Sequence, residues 1–197
     1  MQKIMETDRI KILGDEVLFD GKFMRVIGRR FINKITGKEG LWEVVERKTF
    51  GNIVAILALT PENEVILTKS FRIPILAYVI ELCAGLMDRP NVSQIELVAA
   101  ELLEETGYKA KEIRHIATGP FNAGLVSSDT ISIYLGLDAV KVAEPTLGDG
   151  EDIEVIKVPL EDIQHFLSNV EEGVLVDPKV FSVTENQELW EFAFVKS

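Results

Sequence analysis

The sequence predicts a mixed α/β (α+β) architecture, a sheet sandwiched between helices. Three observations predict it: short strand-like runs separated by turn residues, a hydrophobic period that changes along the chain, and one segment with a complete set of helix-end signals. No repeat, low-complexity tract or long Gly/Ser/Pro linker interrupts the 197 residues. The boundary is therefore read from the change in period, with an N-terminal β module over 1–50 and the main domain over 51–197. In the module, Val17–Phe19, Phe23–Arg30 and Trp42–Thr49 are rich in β-branched and aromatic residues. Turn signals at Asp20-Gly21 and Thr36-Gly37-Lys38 separate them.

The main domain opens with the apolar strand Ile53–Leu59, the turn Pro61-Glu62-Asn63 and a second strand Glu64–Thr68, a hairpin with a buried face. Tyr78–Cys83 reads as a strand running into Ala84-Gly85. Ser93 then offers an N-cap, Glu96 completes a capping box three residues on, and Gly107 stands where a C-terminal cap belongs. A helix over 94–106 follows, with Ile95, Val98, Ala99 and Leu102 as its apolar face. Ile113–Gly119, Ile131–Leu137 and Ile153–Val158 read as strands, and Leu160–Asn169 as an amphipathic helix.

Composition narrows the function classes. Apolar residues at 47% and a mass of 22.0 kDa make a genuine core feasible. The net charge of −11, with basic residues scattered, argues against nucleic acid as a partner. The apolar run Ile53–Leu59 is far short of the roughly 20 residues that cross a bilayer, so no membrane partner is expected. Residues 1–12 lack a signal-peptide pattern and Cys83 is the single cysteine, which together predict a cytoplasmic protein. His115 and His165 are isolated and no Cys/His ligand spacing occurs, so zinc is not expected. P-loop and serine-hydrolase motifs are absent as well.

Glu101, Glu104 and Glu105 fall within an arc of roughly 100° on the predicted helix. The plain reading is a solvated acidic face. The other is a site for a hard cation, because the carboxylates lie at the helix end where the macrodipole opposes negative charge.

The flanking residues favour the second. The segment GLMDRPNVSQIELVAAELLEETGY (85–108) resembles the signature of the Nudix hydrolases, a glycine loop before a helix that ends Arg-Glu-apolar-x-Glu-Glu-x-Gly-apolar. Further blocks are similar to the ADP-sugar pyrophosphatases that cleave ADP-ribose: TGKEGLWEVVER (36–47), LTKSFRIP (67–74), YVIELCAGLMD (78–88), GDGEDIEVI (148–156) and VDPKVFS (176–182). The resemblance covers residues 17–185. It implies a Nudix fold and a homodimer in which the N-terminal module packs on or reaches into the partner. It also implies metal-dependent hydrolysis of the diphosphate of ADP-ribose, or of a related nucleoside-diphosphate sugar, to AMP (or NMP) and a sugar phosphate.

By the same resemblance, magnesium, or manganese in its place, would be held by Glu101, Glu104, Glu105 and the main-chain carbonyl of Ala84. Glu104 and Glu105 would share in catalysis, and Glu151 would serve as general base or extra ligand on a glycine-flanked loop that closes over substrate. Asp129 is the other candidate base. Trp42 and Glu43 would clamp the adenine, Arg47 and Arg72 would contact the substrate, and Leu86 would wall the pocket. Two departures stand out: Ala100 replaces the arginine that precedes the first helix glutamate, and Asn91-Val92 replaces the glutamate of a loop that is one residue longer. They motivate an alternative, a catalytically weakened Nudix-fold protein that binds an ADP-sugar as a sensor or regulator.

Overall fold

The computed structural model describes residues 7–48, 52–88, 91–121, 127–185 and 190. In chain order the strands are β1 (Ile10–Asp20), β2 (Met24–Asn33), β3 (Glu39–Arg47), β4 (Asn52–Leu59), β5 (Glu64–Arg72), β6 (Ala77–Glu81) and β7 (Cys83–Leu86). Helix α1 (Gln94–Thr106) is followed by β8 (Tyr108–Lys109), β9 (Glu112–Pro120), β10 (Thr130–Leu137), β11 (Val140–Lys141) and β12 (Ile153–Pro159). A 3₁₀ turn, Leu160–Asp162, leads into α2 (Ile163–Ser168), then β13 (Leu175–Val176) and α3 (Pro178–Thr184). Among the described residues no helix is long and apolar enough to cross a membrane.

The chain divides into two compact units. The first comprises Met1–Ile53, Met87–Pro90 and Thr118–Ile131; the second comprises Val54–Leu86, Asn91–Ala117 and Ser132–Ser197.

In the first unit, β1, β2 and β3 form an antiparallel three-stranded sheet. Register shifts between Ile12 and Gly14 and between Val17 and Phe19 interrupt β1. Arg25 bonds Glu46 and Arg29 bonds Asp15 across neighbouring strands. Strand β1 starts at Ile10, earlier than its composition suggests, because its first residues are specified by pairing with Phe31–Asn33 rather than by an apolar run of their own.

In the second unit the larger sheet runs β13-β6-β5-β4-β10-β9, with β12 on β5 and β7 on β4. It is mixed: β5 pairs antiparallel with β4, β6 and β12, whereas β13 lies parallel to β6. The predicted 53–68 hairpin is there, turning at Asn63 with φ +60°. From Val54 to Leu59 and from Val65 to Thr68 every side chain is buried, so this run is a core strand rather than a half-exposed one. Helix α1 packs on β7, β8 and β12, and α2 packs on α3 and β12. The predicted 160–169 helix resolves into the 3₁₀ turn and α2.

Candidate functional site

Helix α1 carries three of the predicted site residues, Glu101, Glu104 and Glu105, and its own caps fix α1. The Ser93 hydroxyl accepts from the Glu96 N–H at 3.2 Å while the Ser93 N–H donates to Glu96 Oε2 at 2.9 Å. At the other end Gly107, at φ +75°, donates to the Leu103 carbonyl at 2.8 Å. Its own carbonyl accepts from Val142 and Ala143, and the Glu104 carbonyl accepts from Thr146. These bonds satisfy carbonyls that a helix end leaves open, and they pin the segment leading to Glu151 against the acidic end of α1. A methyl group at 107 would strike the Ala143 carbonyl, so close approach as well as positive φ requires glycine there.

The buried stripe of α1 differs from the expected one. Ile95 is 51% exposed, and the stripe runs through Leu97, Val98 and Leu102. That rotation carries Glu105 inward, to 8% exposed, while Glu101 and Glu104 stay half-buried. The three carboxylates therefore straddle the edge of the core and do not share a solvated face.

Glu105 is the most perturbed of them. Burial pushes its pKa up to about 7, and the charges of Glu101 and Glu151 add to the rise. The Cys83 thiol and the Ala84 backbone N–H donate to its carboxylate and oppose the rise without cancelling it. Burial, with the Glu105 charge next, pushes the Cys83 thiol well up. Above them the Glu101 carboxylate lies directly over Gly85, where any Cβ would overlap it. Glu151 sits in a tight turn, its Oε2 accepting from the Gly148 N–H at 2.7 Å and its N–H donating to the Gly148 carbonyl at 3.1 Å.

Among the described residues no three His, Cys, Asp or Glu side chains converge closely enough to hold a metal ion in this conformation. The reason is local: Glu105 turns toward Cys83 and Ala84. The chemistry nonetheless suits a hard divalent cation. The donors are oxygens, and the charge on Glu105 is disfavoured by burial first and by the neighbouring carboxylates second, both of which a bound cation would offset.

Arg72, at the end of β5, lies in the same unit. Its Nε donates to Glu81 Oε1 at 2.7 Å, and Nη2 lies 2.6 Å from the same oxygen in an ion pair. Burial works against the guanidinium charge, but the Glu81 bond and the fields of Glu81, Glu105 and Asp177 outweigh it and raise the Arg72 pKa. Leu86 closes β7, half-buried. Sequence reasoning missed Glu81 and Cys83; a charged residue and a thiol inside the apolar run YVIELCAG are the signal that was there to find.

The remaining predicted residues belong to the first unit. In β3, Trp42 is paired with Arg29 and Glu43 with Gly28, and successive strand residues face opposite sides. Trp42, 50% exposed, and Glu43 are thus not presented by one face to a single base. Arg47 Nε donates to Asp129 Oδ2 at 3.1 Å, and Asp129 is nine-tenths buried. The guanidinium of Arg47 and the carboxylate of Asp129 thus hold one another within the first unit. In the loop that departs from the family pattern, Asn91 takes φ +64°, while Arg89 and Pro90, like Thr49 and Gly51 of the predicted strands, lie outside the described residues.

The chain resembles known proteins along most of its length. It is 30% identical to an ADP-sugar pyrophosphatase of Mus musculus over 87% of this chain and 84% of that protein. It is 31% identical to an uncharacterized Nudix hydrolase of Schizosaccharomyces pombe over 73% of this chain and 76% of that one. No family model matches. A solved structure of an ADP compounds hydrolase superposes with a TM-score of 0.75 over 95% of this chain and 97% of that chain, at 20% identity, which bears on the fold alone. With that identity spread over four-fifths or more of both proteins, and a matching fold, the chain belongs to the Nudix hydrolases, in the ADP-sugar pyrophosphatase family.

Proposed function

We propose that this chain hydrolyses the diphosphate of ADP-ribose, or of a related nucleoside-diphosphate sugar, to AMP (or NMP) and a sugar phosphate. The observation that carries the reading is the group formed in the second unit by buried Glu105, by Glu101 over Gly85 and by Glu151, whose charge reaches Glu105. Glu101, Glu104, Glu105 and the Ala84 carbonyl would hold magnesium, or manganese. The ion supplies charge neutralisation on the diphosphate and an acidified water. Arg72 presents guanidinium donors to the diphosphate, Glu151 accepts a proton from the attacking water, and the bridging P–O bond breaks in line. Leu86 excludes water from the pocket wall.

Trp42 stacks on the base and Arg47 contacts the substrate. Because Trp42 and Glu43 face opposite ways on β3, the clamp is shared between two protomers of a homodimer whose N-terminal modules, residues 1–50, exchange contacts. The exposed Val17, Phe19, Phe23 and Leu41 supply apolar surface for that dimer. A buried free Cys83 suits the reducing cytoplasm.

The deciding experiment is hydrolysis of ADP-ribose, GDP-mannose and UDP-glucose by the purified protein, with and without magnesium, followed by chromatography of the nucleoside monophosphate. Magnesium-dependent AMP from ADP-ribose is the expected result. Tight calorimetric binding of ADP-ribose without turnover would instead support the sensor reading that Ala100 motivates.

A further inference from the structure

We propose that Glu81 is a positioning residue, which grips one edge of the Arg72 guanidinium and so keeps the other donors of that arginine turned toward the substrate diphosphate. The inference rests on the role given to Arg72 under the proposed function.

Arg72 and Glu81 come from adjacent antiparallel strands, with Arg72 opposite Ala77 and Thr68 opposite Glu81. The arginine therefore lies back along the strand pair to reach the carboxylate, where Nε donates at 2.7 Å and Nη2 lies 2.6 Å from the same oxygen in an ion pair. A guanidinium has five N–H donors. This grip engages the Nε and Nη2 edge and leaves both donors of Nη1. The two partners differ in burial: the Glu81 side chain is 11% exposed and that of Arg72 is 48%. The carboxylate is the sunken anchor and the arginine the arm that reaches water.

A buried carboxylate adds little net stability, since desolvation offsets most of the attraction to its partner. Orientation is what the bond supplies. Glu105 and Asp177 also attract Arg72, so a guanidinium released from Glu81 would be drawn toward them, and Glu105 is one of the carboxylates assigned to the cation. Glu81 holds it apart from them. It also keeps the pair in one geometry, so the free donors of Arg72 meet the diphosphate already oriented and less is lost on binding.

The test is a double-mutant cycle on the full chain, with Glu81→Gln, Arg72→Ala and the double variant. The readouts are calorimetric binding of a methylene-bridged, hydrolysis-resistant ADP-ribose analogue, and kcat and KM for ADP-ribose. Glu81→Gln keeps the volume and removes the charge. We expect it to weaken analogue binding about 10-fold and to raise KM by a similar factor with kcat nearly unchanged, the range of a charged hydrogen bond. In the Arg72→Ala background the same change should have no further effect on binding. Equal weakening in both backgrounds, or none in either, would overturn the proposal. If Glu81→Gln does not fold, as judged by thermal melting, Glu81→Asp keeps the charge and draws the anchor back by one methylene. Binding then falls with Arg72 present and not without it, and any other pattern counts against the grip. An Arg72→Ala protein that binds the analogue like wild type would fail differently, removing the substrate role of Arg72 and the proposal with it.

Discussion

The two larger sheets of this chain are stabilised in opposite ways. In β4 and β5 the side chains from Val54 to Leu59 and from Val65 to Thr68 are all buried, and burial of that kind is worth roughly 1.5–3 kcal/mol per large aliphatic residue. In β1 to β3 only Ile27 and Val44 are buried hydrophobic residues, while Val17, Phe19, Leu41 and Trp42 stand in solvent. There the visible cross-strand bonds are ion pairs at or near the surface, Arg25–Glu46, Arg29–Asp15 and Arg30–Glu39, each worth about 1 kcal/mol at most. One sheet keeps its apolar surface for folding; the other leaves much of it exposed.

The largest expected effect separates the two directly. Leu57→Ala should cost about 3–4 kcal/mol in urea unfolding, because the site is closed on every side, whereas Val17→Ser should stay within about 0.5 kcal/mol at concentrations where the protein is monomeric. Similar losses at both positions would erase the distinction. Next comes Trp42. Its replacement by Ala should raise KM for ADP-ribose about 10-fold with kcat almost unchanged, the range of aromatic stacking on a base, and a fall in kcat alone would refute that assignment.

A third test concerns the acidic cluster. In chelator the folded pKa of Glu105, about 7, lies above its ordinary value of 4.5, so the folded state holds that proton more tightly than the unfolded chain does. The stability it contributes is complete below pH 4.5 and is lost as pH rises through about 7. Melting temperatures between pH 5 and 8 should fall more steeply for the wild type than for Glu105→Gln, and parallel curves would argue against a raised Glu105 pKa. The smallest effect is expected at Asp15, whose carboxyl the Arg29 bond holds below the usual range. Here the sign is reversed, with stability present above pH 4 and lost below it, and Asp15→Asn should remove that acid dependence at a cost of a few tenths of a kcal/mol.

Legibility followed the range of the interactions. Helix α1 is bounded where its sequence signals put it, at 94 and 106, because a capping box and a C-terminal glycine act within a few residues. The strands β8, β11 and β13 carry two residues each and exist only through long-range pairing, so no local pattern announces them. Helix α3 did have a local signal, Asp177 as N-cap and Pro178 at its first position, lost in a block read only for its family likeness. The family blocks single out Glu101, Glu105, Glu151 and Arg72 as candidates. They could not give the rotation of α1 that buries Glu105, which depends on what packs against Leu97, nor the partners Glu81 and Cys83, which strand register brings in.

The turn that carries Glu151 is tied at both ends: Thr146 to the Glu104 carbonyl, and the Asp152 carbonyl to the Phe71 N–H at 3.1 Å, with the Asp152 carboxylate bonded to Tyr78 as well. Consecutive Cα atoms are about 3.8 Å apart, so while Asp152 stays moored the backbone of Glu151 can only swivel within that radius. Within that turn the Glu151 carboxylate is bonded to the Gly148 amide, so for it to act on a substrate it would first have to let go of that amide, a change of partner that a side-chain rotation on a short leash can supply.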